Sequence, residues 1–421
     1  MDHPKNLPVK LLLLFSVETL SATWFLKIPG WAPFFSLLYL SSGIAIAFGL
    51  TRCPQLRLPA SVKKAWTLPV NHYRLIIVGL MALATWSWCC YWFDEMPIDI
   101  TNADMLPIIK VMGERFIAGQ HSHVYDIIPW IWNGTQPIYL PAMWLPYVPA
   151  IFLGLDMRWV AVAALLFSFA VFIFLYRATT FSAGALAEKR PRGYTPFFLG
   201  VIAFLLFWWL VADNTAGIVS VSEEGMVIGY YVLLVLALLS GRPWLTGIAI
   251  SLCMLSRYAL VGWIPAYLLF LALEKKWRNL SIITLTGILC FVLLFLLPVG
   301  LDTFVRLAKL PGDYVAFASR VWKDSPDVFT TAPGLAWFFG PKKVGLLHSL
   351  LISLSFIAPM LFILAGWRLR AKNLPLAALK LGLVIFFAFI DVPYLYLFYT
   401  SSFVSLIALT LLLRQTEQTT A

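Results

Sequence analysis

The sequence predicts an all-α fold: a polytopic membrane bundle of about twelve spanning helices. Three observations predict it. Of the 421 residues, 61% are hydrophobic and mean hydropathy is +0.84, more apolar surface than a soluble chain of this length can hide. The apolar residues come in continuous runs of about 16–22, the length a helix needs to cross the hydrocarbon core. The runs lack the alternation of a membrane barrel, and a helix in lipid satisfies its own backbone polar groups.

The runs fall at 9–27, 31–50, 75–93, 157–177, 194–212, 225–240, 244–256, 259–273, 280–299, 345–366, 375–390 and 398–413. The opening "MDHPKNLPVKLLLLFSVETLSATW" lacks a small-residue cleavage site and a second run follows at once, so it reads as a retained helix. One further run, "PIYLPAMWLPYVPAIFLGL", carries Pro137, Pro141, Pro146 and Pro149. Proline removes a backbone donor and clashes with the preceding turn, so this run is expected to be broken, interfacial or re-entrant. With it excluded, both termini face the cytoplasm. Arg52, Lys63, Lys64, Arg74, Lys189, Arg190, Arg242, Lys275, Arg368, Arg370 and Arg414 then face the same way, as the positive-inside rule requires. The net charge of +11 is thereby explained as an orienting charge, which argues against nucleic-acid binding.

No repeat, low-complexity tract or separate soluble domain divides residues 1–421. Within this single transmembrane domain, 1–74 forms an N-terminal hairpin and cytoplasmic loop. Residues 75–300 form a core containing the loop 94–156, and 301–421 supply a further outer loop and the last helices. Three polar segments fall on the non-cytoplasmic side, at about 94–156, 213–224 and 300–344, and most of the acids lie there.

The first outer loop carries Asp94, Glu95, Asp99 and Asp104. A carboxylate in hydrocarbon costs about 2.5–3.5 kcal/mol on the most lenient scale, so these acids belong at a wet interface or in a cavity. "ADMLPIIKVMGERFIAG" predicts an amphipathic helix lying along the membrane surface. Asp104 is placed to cap it, with Pro107 in its first turn, Met105, Ile108, Ile109, Met112 and Phe116 on one face, and a Lys110–Glu114 pair on the other.

An acid after an early core helix, an amphipathic helix ending in "AG", a nearby tyrosine and a tyrosine–proline approach to the next run together resemble the GT-C superfamily of membrane glycosyltransferases. The resemblance is nearest to the mannosyl- and arabinosyltransferases that use polyprenyl-phosphate sugars. It rests on Asp104, Gly119, Tyr125 and "YLPAMWLP", which contains Tyr139, and on the later hairpin "SGRPWLTGIAISLCMLSRYALVGWIPAYLLFLALEKKW". Arg257 stands there where the family commonly has a lysine. The acid follows the third apolar run rather than the first, implying an added N-terminal hairpin, and Leu140-Pro141 replaces a Pro-Pro pair.

The resemblance implies a hexosyltransferase acting on a polyprenyl-phosphate-linked sugar, with a glycan or glycolipid acceptor and a lipid bilayer as its other partners. It implies no cofactor and no metal. An acceptor hydroxyl attacks the anomeric carbon and lipid phosphate leaves, with inversion. A carboxylate serves as base, and a cation meets a leaving group that is already a stable anion. Asp104 is the first choice for the base and Asp99 the second; Asp104 also reads as a helix cap. Arg257 and Arg115 are the candidates for donor phosphate, although an arginine at a helix end also snorkels or pairs. Tyr125, Tyr139, Glu223, Glu224, Tyr314 and Tyr394 are the candidates for substrate binding. Glu223 and Glu224 also fit the start of a helix, where the dipole favours acids.

Other features read more plainly. Arg306, Lys309, Arg320 and Lys323 mix with Tyr314, Trp322 and Trp337 as an interfacial belt does. Asp391 and Tyr396 sit near the outer end of the eleventh run. His121 and His123, with Asp126, have ligand chemistry, but the set is incomplete for a metal site. The five cysteines form no spaced pair, and "NGT" at Asn133 is an isolated triplet. The alternative reading is a polytopic transporter or lipid flippase, for which Glu18 and Lys380 inside spans are the charges to examine.

Overall fold

A computed structural model describes residues 6–420 apart from 29, 60–71, 133, 177–194 and 308–313. The expected basic loops around Lys63 and Lys189, together with Asn133 and Lys309, lie outside the described residues, as does the side chain of Arg306. Among the described residues the fold is helical, with one isolated bridge between Ile128 and Thr135.

The helices follow the apolar runs. They are α1 (Leu7–Ser21), α2 (Ala32–Arg52), α3 (His72–Glu95), the surface helix α4 (Met105–Ile117), α5 (Arg158–Leu175) and α6 (Thr195–Trp208). Then come α7 (Glu224–Ser240), α8 (Pro243–Met254), α9 (Trp263–Leu273) and α10 (Trp277–Phe291). Next are α11 (Tyr314–Asp324), α12 (Val344–Arg368), α13 (Leu374–Ala388) and α14 (Tyr399–Thr420). Eight helical segments among the described residues are long and apolar enough to cross a membrane: Leu7–Lys27, Ala32–Arg52, His72–Glu95, Arg158–Leu175, Thr195–Asp213, Trp277–Val299, Pro341–Arg368 and Leu395–Thr416. The other four expected runs form shorter apolar helices at Glu224–Ser240, Pro243–Met254, Tyr258–Leu273 and Leu374–Ala388. At 1.5 Å per residue, α8 is about 18 Å long and falls short of a hydrocarbon core of about 30 Å.

The proline-rich run is broken, as its sequence requires. It divides into a short α-turn at Pro141–Trp144, a 3₁₀ turn at Leu145–Tyr147 and a second α-turn at Val148–Phe152. The surface helix α4 buries Met105, Ile108, Ile109 and Met112 on the expected face. Lys110 and Glu114 are both exposed and do not pair, and the Asp104 side chain does not cap the helix.

The bundle is organised around α14, which is almost wholly buried and packs on α1, α5 and α7. Around it α1 pairs with α2, α2 with α13, α13 with α12, α12 with α9, α5 with α7, and α7 with α8. Helices α3 and α10 are peripheral and keep most of their apolar surface outward, as lipid-facing helices do. Glycines permit the closest contacts. A Cβ on Gly262 would strike the Ser355 backbone, and one on Gly225 the Ala161 carbonyl.

The two ends of the bundle differ chemically. At one end basic side chains bind the carbonyls that end α5: Arg74 donates to Phe174 O (2.9 Å) and Tyr176 O (2.7 Å), and Arg414 to Leu175 O (3.2 Å). Asn373 closes the same end by donating to Leu50 O (3.1 Å) and Pro54 O (2.9 Å) and accepting from Leu56 N (2.7 Å). The other end gathers the loops that hold Asp104, Glu223, Arg257 and Asp391. Arg158 staples it, donating to Phe93 O (3.3 Å), Met96 O (2.6 Å) and the Asp156 carboxylate (2.6 Å).

Candidate active site

The centre of this end is built from three segments distant in sequence. After α6, Asn214 adopts a left-handed φ of 50° and its amide donates to Ser220 Oγ (2.7 Å). The intervening turn delivers Glu223 and Glu224 to the start of α7. Their side chains do not cap that helix. Both are fully buried and reach Arg257 instead, with Arg257 Nη2 donating to Glu223 Oε1 at 2.8 Å and also contacting Glu224 Oε1.

Arg257 occupies an extended turn after α8, with φ −141° and ψ 147°. Its own N–H closes on Cys253 O at 2.9 Å. The proline-rich segment braces this turn: Ala142 N donates to Leu255 O (2.9 Å), and Tyr230 donates to Ala142 O (2.9 Å). About one-fifth of the Arg257 side chain stays exposed. Its Nε, Glu223 Oε2 and the hydroxyls of Tyr147 and Tyr231 are buried without a hydrogen-bond partner among the described residues. Burial opposes the charge on Arg257, but the two carboxylates outweigh it and hold its pKa above the ordinary guanidinium value. Burial pushes the Glu223 carboxyl up, with Arg257 pulling it down in part.

Asp104 joins this group from the first loop. It is half-buried and lies within electrostatic reach of Glu223, Tyr139 and Tyr394. Burial raises its carboxyl above the ordinary range, while the Trp132 indole lowers it in part. Trp132 is itself exposed and held at a left-handed φ of 50°, a conformation uncommon for a bulky residue. Tyr139 lies near Asp104, Glu223, Tyr396 and Arg257, and the rings of Tyr394 and Tyr396 stack at 5.5 Å. Tyr314, at the start of α11, is within reach of Arg257, Tyr258 and Asp391.

The structure thus brings together Asp104, Arg257, Glu223, Glu224, Tyr139, Tyr314 and Tyr394. It places the other candidates elsewhere. Asp99 is exposed, and its carboxylate accepts from the N–H (2.8 Å) and hydroxyl (2.7 Å) of Thr101, which hold its pKa down. Arg115 spends its guanidinium on carbonyls of its own loop: His123 (3.1 Å), Asp126 (2.6 Å) and Ile127 (3.1 Å). Tyr125 is a joint within that loop, donating to Tyr139 O (2.8 Å) and accepting from Trp144 Nε1 (3.0 Å). His123 bonds Asp126 at 2.6 Å. Among the described residues no group of three or more His, Cys, Asp or Glu is placed to hold a metal ion.

Sequence reasoning missed His348, whose Nδ1 lies 2.6 Å from Asp391 Oδ2. A lone histidine in an apolar run carries no spacing signal, and its partner is 43 residues away. Chemically, the site offers a half-buried carboxylate, a guanidinium gripped from one side by two acids, and tyrosine rings between them. It can accept a proton, bind an anion and hold a polyhydroxyl ligand on aromatic faces. Comparison with known protein families, characterised proteins and solved structures gives no match to this chain.

Proposed function

We propose that this chain is an integral-membrane glycosyltransferase. It moves a sugar, a hexose such as mannose, from a polyprenyl-phosphate donor to an acceptor hydroxyl on a glycan or glycolipid. The observation that carries this reading is the convergence of Asp104 and Arg257, from loops far apart in sequence, around Tyr139. Asp104 takes the acceptor hydroxyl's proton while the acceptor oxygen bonds to the anomeric carbon. The bond from that carbon to the phosphate oxygen breaks, and its electron pair leaves with lipid phosphate toward Arg257. One displacement inverts the anomeric centre. Glu223 and Glu224 are positioning residues that fix the guanidinium. We place the site on the non-cytoplasmic face of a bacterial inner membrane, with both termini cytoplasmic, because Arg74 and Arg414, two of the cations expected on the cytoplasmic side, lie at the opposite end.

The transporter or flippase reading turns on Glu18 and Lys380. They meet at mid-bundle, fully buried, with Ser401 and Ser405 completing the carboxylate's bonds. A pair satisfied this fully fits a structural lock better than a group that exchanges partners during transport. Incubating the purified full-length chain in nanodiscs with radiolabelled polyprenyl-phosphate mannose and membrane glycolipids tests the proposal. Labelled sugar is expected on an acceptor. Absence of transfer across a panel of lipid-phosphate hexoses and pentoses would overturn it.

A further inference from the structure

Trp132 gives half-buried Asp104 a neighbour that packing does not explain. Its indole N–H, a donor only, hydrogen-bonds the Asp104 carboxylate. The rest of the residue is open, with 63% of its surface exposed. Its backbone is held at a φ of 50°, in the left-handed region that glycine enters freely and bulky residues rarely adopt. Neither burial nor backbone preference accounts for a tryptophan here. Such outliers persist where the surrounding structure fixes them, and they gather at ligand-binding positions.

The turn that carries Trp132 is fixed on both sides. Ile128 and Thr135 exchange backbone bonds of 2.9 and 3.1 Å. Gly134 N and the Thr135 hydroxyl both donate to Ile131 O, each at 2.9 Å. Ile128 and Ile131 are fully buried and anchor it. The segment ahead is held by Arg115 through the carbonyls of His123, Asp126 and Ile127. The segment behind is held by Gln136, whose amide donates to Tyr125 O. A side chain presented from such a frame is ordered before any ligand arrives, which lowers the cost of binding one. An indole combines a broad apolar face with one polar edge. Here the polar edge is on Asp104, so the face lies beside the carboxylate. A pyranose has the complementary pattern, with C–H groups on its face and hydroxyls around its rim.

We propose that Trp132 holds the acceptor: a pyranose of the glycan or glycolipid stacks its C–H face on the exposed indole, which sets one of its hydroxyls against Asp104. This rests on the glycosyltransferase reading and adds the residue that selects a sugar acceptor over a plain lipid alcohol. Trp132 touches substrate through its ring face. Through its N–H it is a positioning residue that fixes the Asp104 carboxylate. The rival role is a membrane-interface anchor, which Trp130 would share, since it too is 63% exposed.

The test measures binding first and transfer second. Octyl mannoside, octyl glucoside, octyl galactoside and octanol are titrated onto the full-length chain in nanodiscs, with empty nanodiscs subtracted. The parent is expected to bind at least one hexoside more tightly than octanol. Trp132→Gly removes the ring and relaxes the backbone, so it is expected to melt no lower than the parent. It is expected to bind that hexoside about tenfold or more weakly, the usual scale for truncating an aromatic anchor, with octanol unchanged. Trp132→Phe keeps a ring face and retains most of the affinity, and Trp130→Ala matches the parent. In the transfer reaction Trp132→Phe is expected to lower kcat while keeping the acceptor KM, because only the N–H to Asp104 is lost; Trp132→Gly also raises KM. A parent that binds no hexoside better than octanol overturns the proposal. So does unchanged hexoside affinity in folded Trp132→Gly, or an equal loss in Trp130→Ala. Hexoside binding that depends on Trp132 without sugar transfer from any donor keeps the binding role and overturns the transferase reading alone.

Discussion

Arg257 Nη2 stands 2.8 Å from Glu223 Oε1 and also contacts Glu224 Oε1, so one guanidinium nitrogen holds two fully buried carboxylates from the start of α7. Removing the arginine strands both acids. Arg257→Met is expected to destabilise the chain by about 3–5 kcal/mol, the usual result of breaking a buried pair from one side. The triple variant with Glu223→Gln and Glu224→Gln is expected to recover much of that. Thermal unfolding in detergent checks both.

Glu18 and Lys380 give a second case, in the middle of the bundle. Lys380→Met alone leaves a buried carboxylate with only Ser401 and Ser405, and is expected to cost about 3–5 kcal/mol. Glu18→Leu combined with Lys380→Met is expected to fold at near-parental stability and to leave sugar transfer intact. Loss of transfer in that stable double variant would give the pair a functional role and revive the transporter reading.

Asp104 should behave as a residue kept at some cost to stability. Its carboxyl is raised by burial, so the ionised form is disfavoured in the folded chain. Such a group stabilises most fully below its unfolded pKa, and that contribution is lost as pH rises through the folded value. Asp104→Asn is therefore expected to be at least as stable as the parent at pH 7, with its relative advantage growing from about pH 4 upward. Asp99 has the opposite sign. Thr101 holds its carboxyl down, so Asp99→Asn loses a little stability at neutral pH, and that difference fades as pH falls. Urea or thermal unfolding followed across pH separates the two.

Close helix contacts give a packing prediction. Gly262→Ala drives a methyl into the Ser355 backbone and is expected to cost about 1–3 kcal/mol or more. Gly79→Ala, on peripheral α3 with open space around it, is expected to be neutral or slightly stabilising. Comparing the two melting temperatures decides.

The helices were legible in the sequence because continuous apolar runs and proline positions encode them locally. The amphipathic face of α4 and the broken run after Tyr139 followed from periodicity and from proline's missing donor. Helix lengths were less legible: α8 and α9 end short at the Arg257 turn, which long-range packing determines. The site was legible only in part. Asp104, Glu223, Glu224 and Arg257 stood out as polar residues beside lipid. Local rules assigned Asp104, Glu223 and Glu224 to helix capping, whereas the structure directs the two glutamates across the bundle to Arg257. Arg115 resembled a surface cation because the carbonyls it binds become a cluster only when residues 123–127 fold back on it. His348 and Asp391 show no relationship until α12 and α13 pack together.

Transfer of label from polyprenyl-phosphate sugar by three forms of the full-length chain tests the central claim most directly. The parent and Asp99→Asn are expected to transfer at similar rates, and folded Asp104→Asn to fall by about 100-fold or more, the usual scale for loss of a general base. Undiminished transfer by Asp104→Asn, or a loss confined to Asp99→Asn, would contradict the account.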